Sequence, residues 1–575
     1  MSRKNRAGGL CAALTVCCLS GHAVATAEPG RTEFGYASSA PVTSVVATAV
    51  TRTVPLPAGA PAHPAACDSL SYLRWRSVDG PADAADADRI LVAQPGIFEG
   101  AGAFDSVARN TVARAAEHGA HIEFWALDRR SNCLEDHTGT AAALRSGSFD
   151  TATDYYFHGA PVDGRRFAGY ATGDATRWLG DQGLAQTLRD QYDLLRLELP
   201  DPGLRKRKVL CGGHSLGGFL TGYFAGWDFD GDPATTDDAG YNQCGGYFAL
   251  DTSIRAGISL RGFQFPSPPP AVAAGLENLS LRLDTALPVL ALPAVINPET
   301  TNLLALAGLA ARLAPQGVDD LVRRLPDNAN IALTLRTLLS QDPAMFATGS
   351  PDVRTLSATN EAVLGALLDD NSQPLGFLQA STGFVAGGPL GPKNFPLPDA
   401  VARSPIAMNF FGDAPKVSPT RFDARTVYRW IDYDAVGADS GDADSGDADS
   451  GGADSGGAIT PGSEVTSIAQ LARSLCESPL DFTEWYFPSR LALDLQQGTA
   501  PSIAAQHLHP DGIGRHPTLT FHGSGGIPVT ESDNPRDTRI FLPGYNHLDV
   551  LTAAEHQNNG RPEVVSTRLA EFATR

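Results

Sequence analysis

The chain has 575 residues, 42% of them hydrophobic and 19% charged, enough to bury a large core in about two or three domain-sized units. Its formal net charge of -20 excludes a phosphate-binding surface built on clustered Lys and Arg, so no nucleic-acid partner is expected.

In chain order, the first feature is a basic stretch (Arg3, Lys4, Arg6), then an apolar run from Ala7 to Leu19 and small residues at Ala25-Thr26-Ala27. This pattern predicts a signal peptide over residues 1–27 and export to a secreted or periplasmic location. A lipid anchor at Cys17 is disfavoured by the bulk of Val16 before it. No later run reaches the roughly 18 apolar residues that a transmembrane span requires. Of the eight cysteines, Cys67, Cys133, Cys211, Cys244 and Cys476 would remain in an oxidising compartment, and the odd count leaves one unpaired. Cys211, in the strand ahead of the motif described below, is expected to be the free buried thiol, with two disulfides among the other four.

Residues 28–66 are rich in Ala, Val, Thr and Pro without evident periodicity and read as a flexible leader. Between Cys67 and about residue 254, short apolar runs alternate with amphipathic stretches, which predicts βα units and a mainly parallel sheet flanked by helices. The strand Ile90 to Ala93 leads through the loop Gln94 to Gly102 into a helix ended by Gly119, and the strand Ile122 to Leu127 follows. The alternation continues with a helix over Gln186 to Leu197, a buried strand Val209-Leu210-Cys211, a helix over Phe219 to Trp227 and a strand Tyr247 to Leu250. From 255 to 505 the βα alternation is lost to Leu-, Ala- and Pro-rich sequence with helical segments near 318–325, 331–339 and 361–368. Strand patterns return at Thr518 to Phe521 and Arg539 to Leu542, so the middle reads as a mostly helical cap inserted before the last strands, and 506–575 as the second part of the sheet domain. Within the cap, 438–457 repeats Ala-Asp-Ser-Gly without an apolar anchor and is expected to be disordered. Its spacing matches no loop in which oxygens converge on calcium.

The chemistry centres on Gly213-His214-Ser215-Leu216-Gly217. A five-residue pattern is weak alone, but here a buried strand runs straight into it and an amphipathic helix starts directly after, as a strained strand-to-helix turn presenting a nucleophilic serine requires. With Gly218 following, the segment resembles the Gly-His-Ser-Leu-Gly-Gly form frequent among lipases and esterases of the α/β-hydrolase superfamily. The resemblance covers about half of the chain, 67–252 and 509 onward.

The resemblance implies a Ser-His-acid triad and an oxyanion site made by two backbone amides. The amide after the nucleophile is that of Leu216, and the second candidate is Ile97 in Gln94-Pro95-Gly96-Ile97, with Phe98 next. Superfamily order places the histidine last, and His547 in Gly544-Tyr545-Asn546-His547-Leu548-Asp549 fits better than His516 or His522. The acid departs from the usual pattern: no carboxylate follows Phe521-His522-Gly523 until Glu531 and Asp533. Asp251, at the end of the strand Tyr247 to Leu250, is the rigidly placed alternative, and the choice between it and Glu531 or Asp533 stays open.

A further cluster, Asp228, Asp230 and Asp232, followed by Thr236, Asp237 and Asp238, puts the oxygens of its alternate aspartates on one side of a tight loop, as a structural calcium site does. The glycine is displaced and the closing glutamate absent compared with an EF-hand, so an acidic solvated loop is the competing reading. The chemistry itself calls for no cofactor. The expected activity is cleavage of a carboxylic ester, small or lipid-like, through an acyl-enzyme. Rivals are acyl transfer, hydrolysis of a polyester, lactone or amide by the same triad, or an inactive secreted binding protein on the same fold.

Overall fold

The computed structural model describes residues 29–260, 296–396, 416–432, 464–477, 482–532, 534–557 and 560–575, with a few positions between them. The segment expected to be a signal peptide, the Ala-Asp-Ser-Gly repeat and Asp533 lie outside the described residues.

A nine-stranded sheet organises the chain. Its strands are β1 (Arg31–Gly35), β2 (Val45–Thr53), β3 (Ser69–Ser77), β4 (Ile90–Gln94), β5 (Glu123–Leu127), β6 (Val209–His214), β7 (Gly246–Leu250), β8 (Thr518–Gly525) and β9 (Asp537–Asn546). They lie in the order β1-β2-β3-β5-β4-β6-β7-β8-β9. From β5 to β9 all neighbours are parallel, and β1, β2 and β3 add an antiparallel flank. The parallel strands are apolar on both faces because helices cover both. Leu91, Phe124 and Phe248 pack on one side with α1 (Asp105–Glu117) and α8 (Val564–Ala573). On the other, Val92, Trp125 and Tyr247 pack with α2 (Leu184–Glu198) and α3 (Leu216–Gly226).

Chain order reverses beside β4. From β4 the chain moves outward to β5, then returns to lay β6 on the other side of β4. The loops leaving the carboxyl ends of β4 and β6 therefore diverge, and the crevice between them is where such sheets place their ligands.

The stretch expected to be a flexible leader is instead part of the sheet. β2 pairs antiparallel with β3 over its whole length, from Val45↔Ser77 to Thr53↔Ser69. Its inward positions Val45, Ala47 and Ala49 are buried, but small Ala and Thr side chains give so little contrast in hydropathy that the alternation is hard to see. The sheet domain accordingly begins near Arg31, not Cys67.

The inserted region is helical at the three expected stretches, as a short helix Asp320–Arg324, α5 (Ala329–Leu339) and α6 (Asn360–Leu368), and also where none was expected, as α4 (Pro298–Leu313) and α7 (Ile468–Cys476); α4 packs against α6 and α7. It also holds a small sheet in which Val427–Asp432 lies between Ser357–Ala358 and Gly383–Ala386, with Tyr428 and Trp430 turned inward. The cap ends earlier than residue 505. Phe487, Leu491 and Leu495 are buried in the same cluster as Leu184 and Leu188 of α2, so this stretch belongs with the sheet domain.

Two disulfides join Cys67 to Cys133 and Cys211 to Cys244. The expectation that Cys211 is free is therefore corrected. Cys211 on β6 and Cys244 just ahead of the adjacent β7 have Cα atoms 5.8 Å apart, a proximity that only strand pairing creates. Among the described residues the free thiol is Cys476, at the end of α7, whose burial pushes its pKa up to about 12 and makes it a poor nucleophile. The bridges close spans of 66 and 33 residues, for which loop entropy alone corresponds to about 4 kcal/mol each. Cys67→Ser with Cys133→Ser is expected to lower the denaturant midpoint accordingly, measured by urea unfolding followed by tryptophan fluorescence.

Candidate active site

β6 delivers Ser215 to a turn with φ 53° and ψ -121°, a backbone region that side chains rarely adopt. The turn is held by Ser215 N donating to Leu250 O (3.2 Å) and by the Thr252 hydroxyl donating to Ser215 O (2.6 Å). Its sharpness depends on two glycines. A Cβ on Gly217 would lie 2.0 Å from Gln94 O, and one on Gly213 would lie 2.5 Å from the same oxygen. The glycines in the motif are thus required because the turn presses against the end of β4.

Leu216 begins α3, so its N–H is one of the amides at a helix start that no helical carbonyl can reach. The loop after β4 carries the other candidate amides. Arg129 draws its carbonyls to one side, donating to Pro95 O (2.5 Å) and Gly96 O (2.7 Å), and Arg129 is itself paired with Glu484. Phe98 has φ 58°, and its carbonyl accepts from Glu484 N (2.9 Å). Among the described residues the N–H groups of Ile97 and Phe98 have no hydrogen-bond acceptor. An amide pair free of internal partners, in the loop leaving the strand next to β6, is of the kind a developing oxyanion needs.

His547 follows β9 and is buried, and its Nδ1 lies 2.6 Å from Asp251 Oδ2. Asp251 follows β7 directly and is fixed by two further bonds, Gly523 N to Oδ1 and Ile527 N to Oδ2, both 2.9 Å. The neighbouring loop passes so close that a Cβ on Gly526 would lie 2.1 Å from Asp251 Oδ1. Glu531, the alternative acid, is instead engaged with Arg539 at the surface. His516 donates to or accepts from nothing near Ser215; its Nε2 meets Tyr241 O at 2.9 Å. Burial, and after it the neighbouring His214, hold the His547 pKa below the ordinary histidine value of 6.5, with Asp251 acting in the opposite sense. His547 is therefore neutral, as a proton acceptor must be, down to a lower pH than a free histidine.

Three positions near the site take roles that the sequence patterns around them do not assign. Glu99 is buried and bonds through Oε2 to Gly96 N (2.6 Å) and through Oε1 to His214 Nδ1 (2.6 Å). The other ring nitrogen of His214 lies 2.9 Å from the carbonyl oxygen of His547. Both ring nitrogens thus face oxygen atoms, an arrangement satisfied by an imidazolium that donates twice. Burial opposes the charge on each partner, but their mutual attraction outweighs it, raising the His214 pKa and lowering that of Glu99. Glu99 and His214 in this way connect the loop after β4 to the main chain of His547. The third position, Asp549, accepts from Asn546 N (2.7 Å), Ser381 Oγ (2.8 Å) and Thr466 Oγ1 (2.7 Å), pinning the His547 turn to the cap. Only spacing around His214 inside the motif could have hinted at such a network.

The acidic loop after α3 differs from expectation in its membership. Carboxylate oxygens of Asp228, Asp230 and Asp238 lie within 4.8 Å of one another, whereas Asp232 Oδ1 accepts from Ala234 N (3.0 Å). Asp228 also meets His509 Nε2 at 2.9 Å and accepts from Gly231 N at 2.6 Å, so it braces the loop whatever else binds there. Asp238 joins the cluster only because the loop doubles back, which residue spacing does not encode.

No family model and no curated protein matches the chain. Solved structures similar to it include the peroxisomal alpha-beta-hydrolase Lpx1 of Saccharomyces cerevisiae (10% identity, 92% of this chain and 90% of that one, TM-score 0.32). They also include the thioesterase domain of a curacin biosynthetic pathway (12% identity, 88% and 95%, TM-score 0.28). A third is the epoxide hydrolase VrEH1 of Vigna radiata (10% identity, 88% and 94%, TM-score 0.28). It is the molecule's own geometry, a mainly parallel sheet whose order reverses at β4 and a strained serine turn between β6 and α3, that identifies the fold as that of the α/β-hydrolase superfamily.

Proposed function

We propose that this chain is a serine hydrolase that cleaves a carboxylic ester, with Ser215 as nucleophile, His547 as general base and Asp251 as the acid that orients it. The observation that carries the reading is the 2.6 Å contact of Asp251 with His547 Nδ1. That contact fixes the ring with Nε2 available to a hydroxyl and supports the positive charge the ring acquires. His547 takes the Ser215 proton as the oxygen attacks the acyl carbon, and the amides of Leu216 and Ile97, with Phe98 beside it, receive the negative charge on the carbonyl oxygen. The tetrahedral adduct collapses when His547 returns the proton to the leaving alcohol. Water then attacks the acyl-enzyme by the same route in reverse, freeing the acid and Ser215.

Two disulfides suit an oxidising, extracytoplasmic setting. Among the described residues no helix is long and apolar enough to cross a membrane. Acyl transfer to another alcohol, or hydrolysis of a polyester, lactone or amide, uses the same groups and differs only in what enters the crevice.

A fluorescent fluorophosphonate tests the assignment. The wild-type protein is expected to become labelled, with the adduct mapped to Ser215 by peptide mass spectrometry, and Ser215→Ala to remain unlabelled. A folded wild type that resists the reagent would favour the inactive binding protein instead.

A further inference from the structure

Beside the crevice lies a cavity of about 110 Å3 walled almost entirely by apolar side chains, the kind of lining that small-molecule sites use for hydrocarbon groups. Ile97 and Phe98 of the loop after β4 form part of its wall, as does Leu548, the residue after His547. From there it runs among the cap helices, with Leu304 of α4, Leu335 and Leu338 of α5 and Leu367 of α6 on its walls.

Its polar groups are almost all engaged by the protein itself. The Thr300 and Thr301 hydroxyls donate to Asn297 O, and Thr334 donates to Asn330 O. Gln373 donates to Leu367 O and accepts from Leu375 N, and Glu99 is held by Gly96 and His214. A ligand carrying hydroxyl or amide groups along its length would have to bury them unpaired, and each such group opposes binding. A hydrocarbon pays no such penalty and gains by leaving water.

We infer that this cavity receives a long, unsubstituted acyl chain of the substrate, threaded past Ile97 and Phe98 with its carbonyl at Ser215. The inference rests on the ester-hydrolase reading and names its substrate class. It places the acyl rather than the alcohol part in the cavity because the alcohol leaves first, while the acyl group stays bonded to Ser215 until water arrives. The moiety held deepest among the cap helices is then the one released last.

The test is a kcat/KM series of nitrophenyl esters from acetate through octanoate to palmitate, alongside acetates of increasingly long alcohols. In the acyl series the values are expected to climb by up to about four-fold per methylene until the cavity is full, the transfer free energy of one CH2 converted to a rate. The alcohol series is expected to stay flat. A terminal hydroxyl on the octanoyl chain is expected to lower kcat/KM by about 10- to 100-fold. Leu338→Trp, at a half-buried wall position, should lower the palmitate-to-butyrate ratio at least ten-fold, and Leu304→Trp repeats the test from α4 should the first variant fail to fold.

A flat acyl series, or a rising alcohol series, in a protein whose Ser215 reacts with fluorophosphonate overturns the cavity assignment and leaves the hydrolase reading standing. Absence of both labelling and turnover overturns the hydrolase reading itself.

Discussion

His547→Ala is expected to lower kcat about a million-fold on any ester the wild type cleaves, and Asp251→Asn about ten-thousand-fold, with KM little changed in both. The two losses differ because the histidine moves the proton whereas the aspartate orients it. Without His547, Ser215 must lose its proton to water. With asparagine at 251, the amide nitrogen can donate to Nδ1, which turns the ring to the wrong tautomer and leaves Nε2 carrying the hydrogen. Glu531→Gln provides the contrast. Its carboxylate pairs with Arg539 at the surface, and the substitution is expected to leave kcat within a factor of about two, since such surface ion pairs contribute about 0–1 kcal/mol. Steady-state kinetics on the three variants, with circular dichroism to show that each is folded, check the set. An Asp251→Asn enzyme of wild-type kcat would remove Asp251 from the mechanism.

The buried pair formed by Glu99 and His214 underlies the second large effect. His214→Gln is expected to destabilise the protein by about 3–5 kcal/mol, because it leaves the buried Glu99 carboxylate without its countercharge. It should also change the pH dependence. Wild-type activity requires neutral His547, and since the His547 pKa is lowered from 6.5, kcat/KM should fall on the acid side only below that value. Burial is the first cause of that lowering and the neighbouring His214 the second, while Asp251 and Glu99 oppose it. Removing the imidazolium takes away a lowering influence that outweighs Glu99, so the His547 pKa rises and activity is lost at higher pH than in the wild type. Glu99→Gln, which releases His214 to become neutral, should move the acid limb in the same direction. A purely structural role would lower stability in both variants while leaving the limb in place, so pH-rate profiles separate the two.

How much of this is legible in the sequence follows from how far apart the partners are. The Ser215 turn is local: a buried strand, a glycine-framed serine and a helix occupy consecutive positions, and each leaves its pattern in a few residues. The βα alternation of the sheet domain is legible for the same reason, since periodicity of apolar residues is a property of each segment. β2 is hidden in the sequence because its alternation is written largely in Ala and Thr, whose hydropathies differ little, and its strand character comes from pairing with β3. The acid could not be chosen from spacing at all. Asp251 and His547 are separated by 296 positions, and their contact exists because β7 and β8 pair and the loop after β8 folds over the carboxylate.

By itself, then, the sequence determined the class of fold, the position of the serine turn and the inserted cap, all of which depend on residues near one another in the chain. Tertiary structure alone decided which aspartate meets the histidine, that Cys211 is bridged to Cys244 while Cys476 stays free, that Asp238 replaces Asp232 in the acidic cluster, and that Glu99 and His214 pair beneath the crevice. Each of these is a contact between side chains brought together by strand pairing or loop closure. A carboxylate, a thiol or an imidazole has the same formula wherever it falls, and only the packed neighbours around it decide whether it is charged, bridged or free.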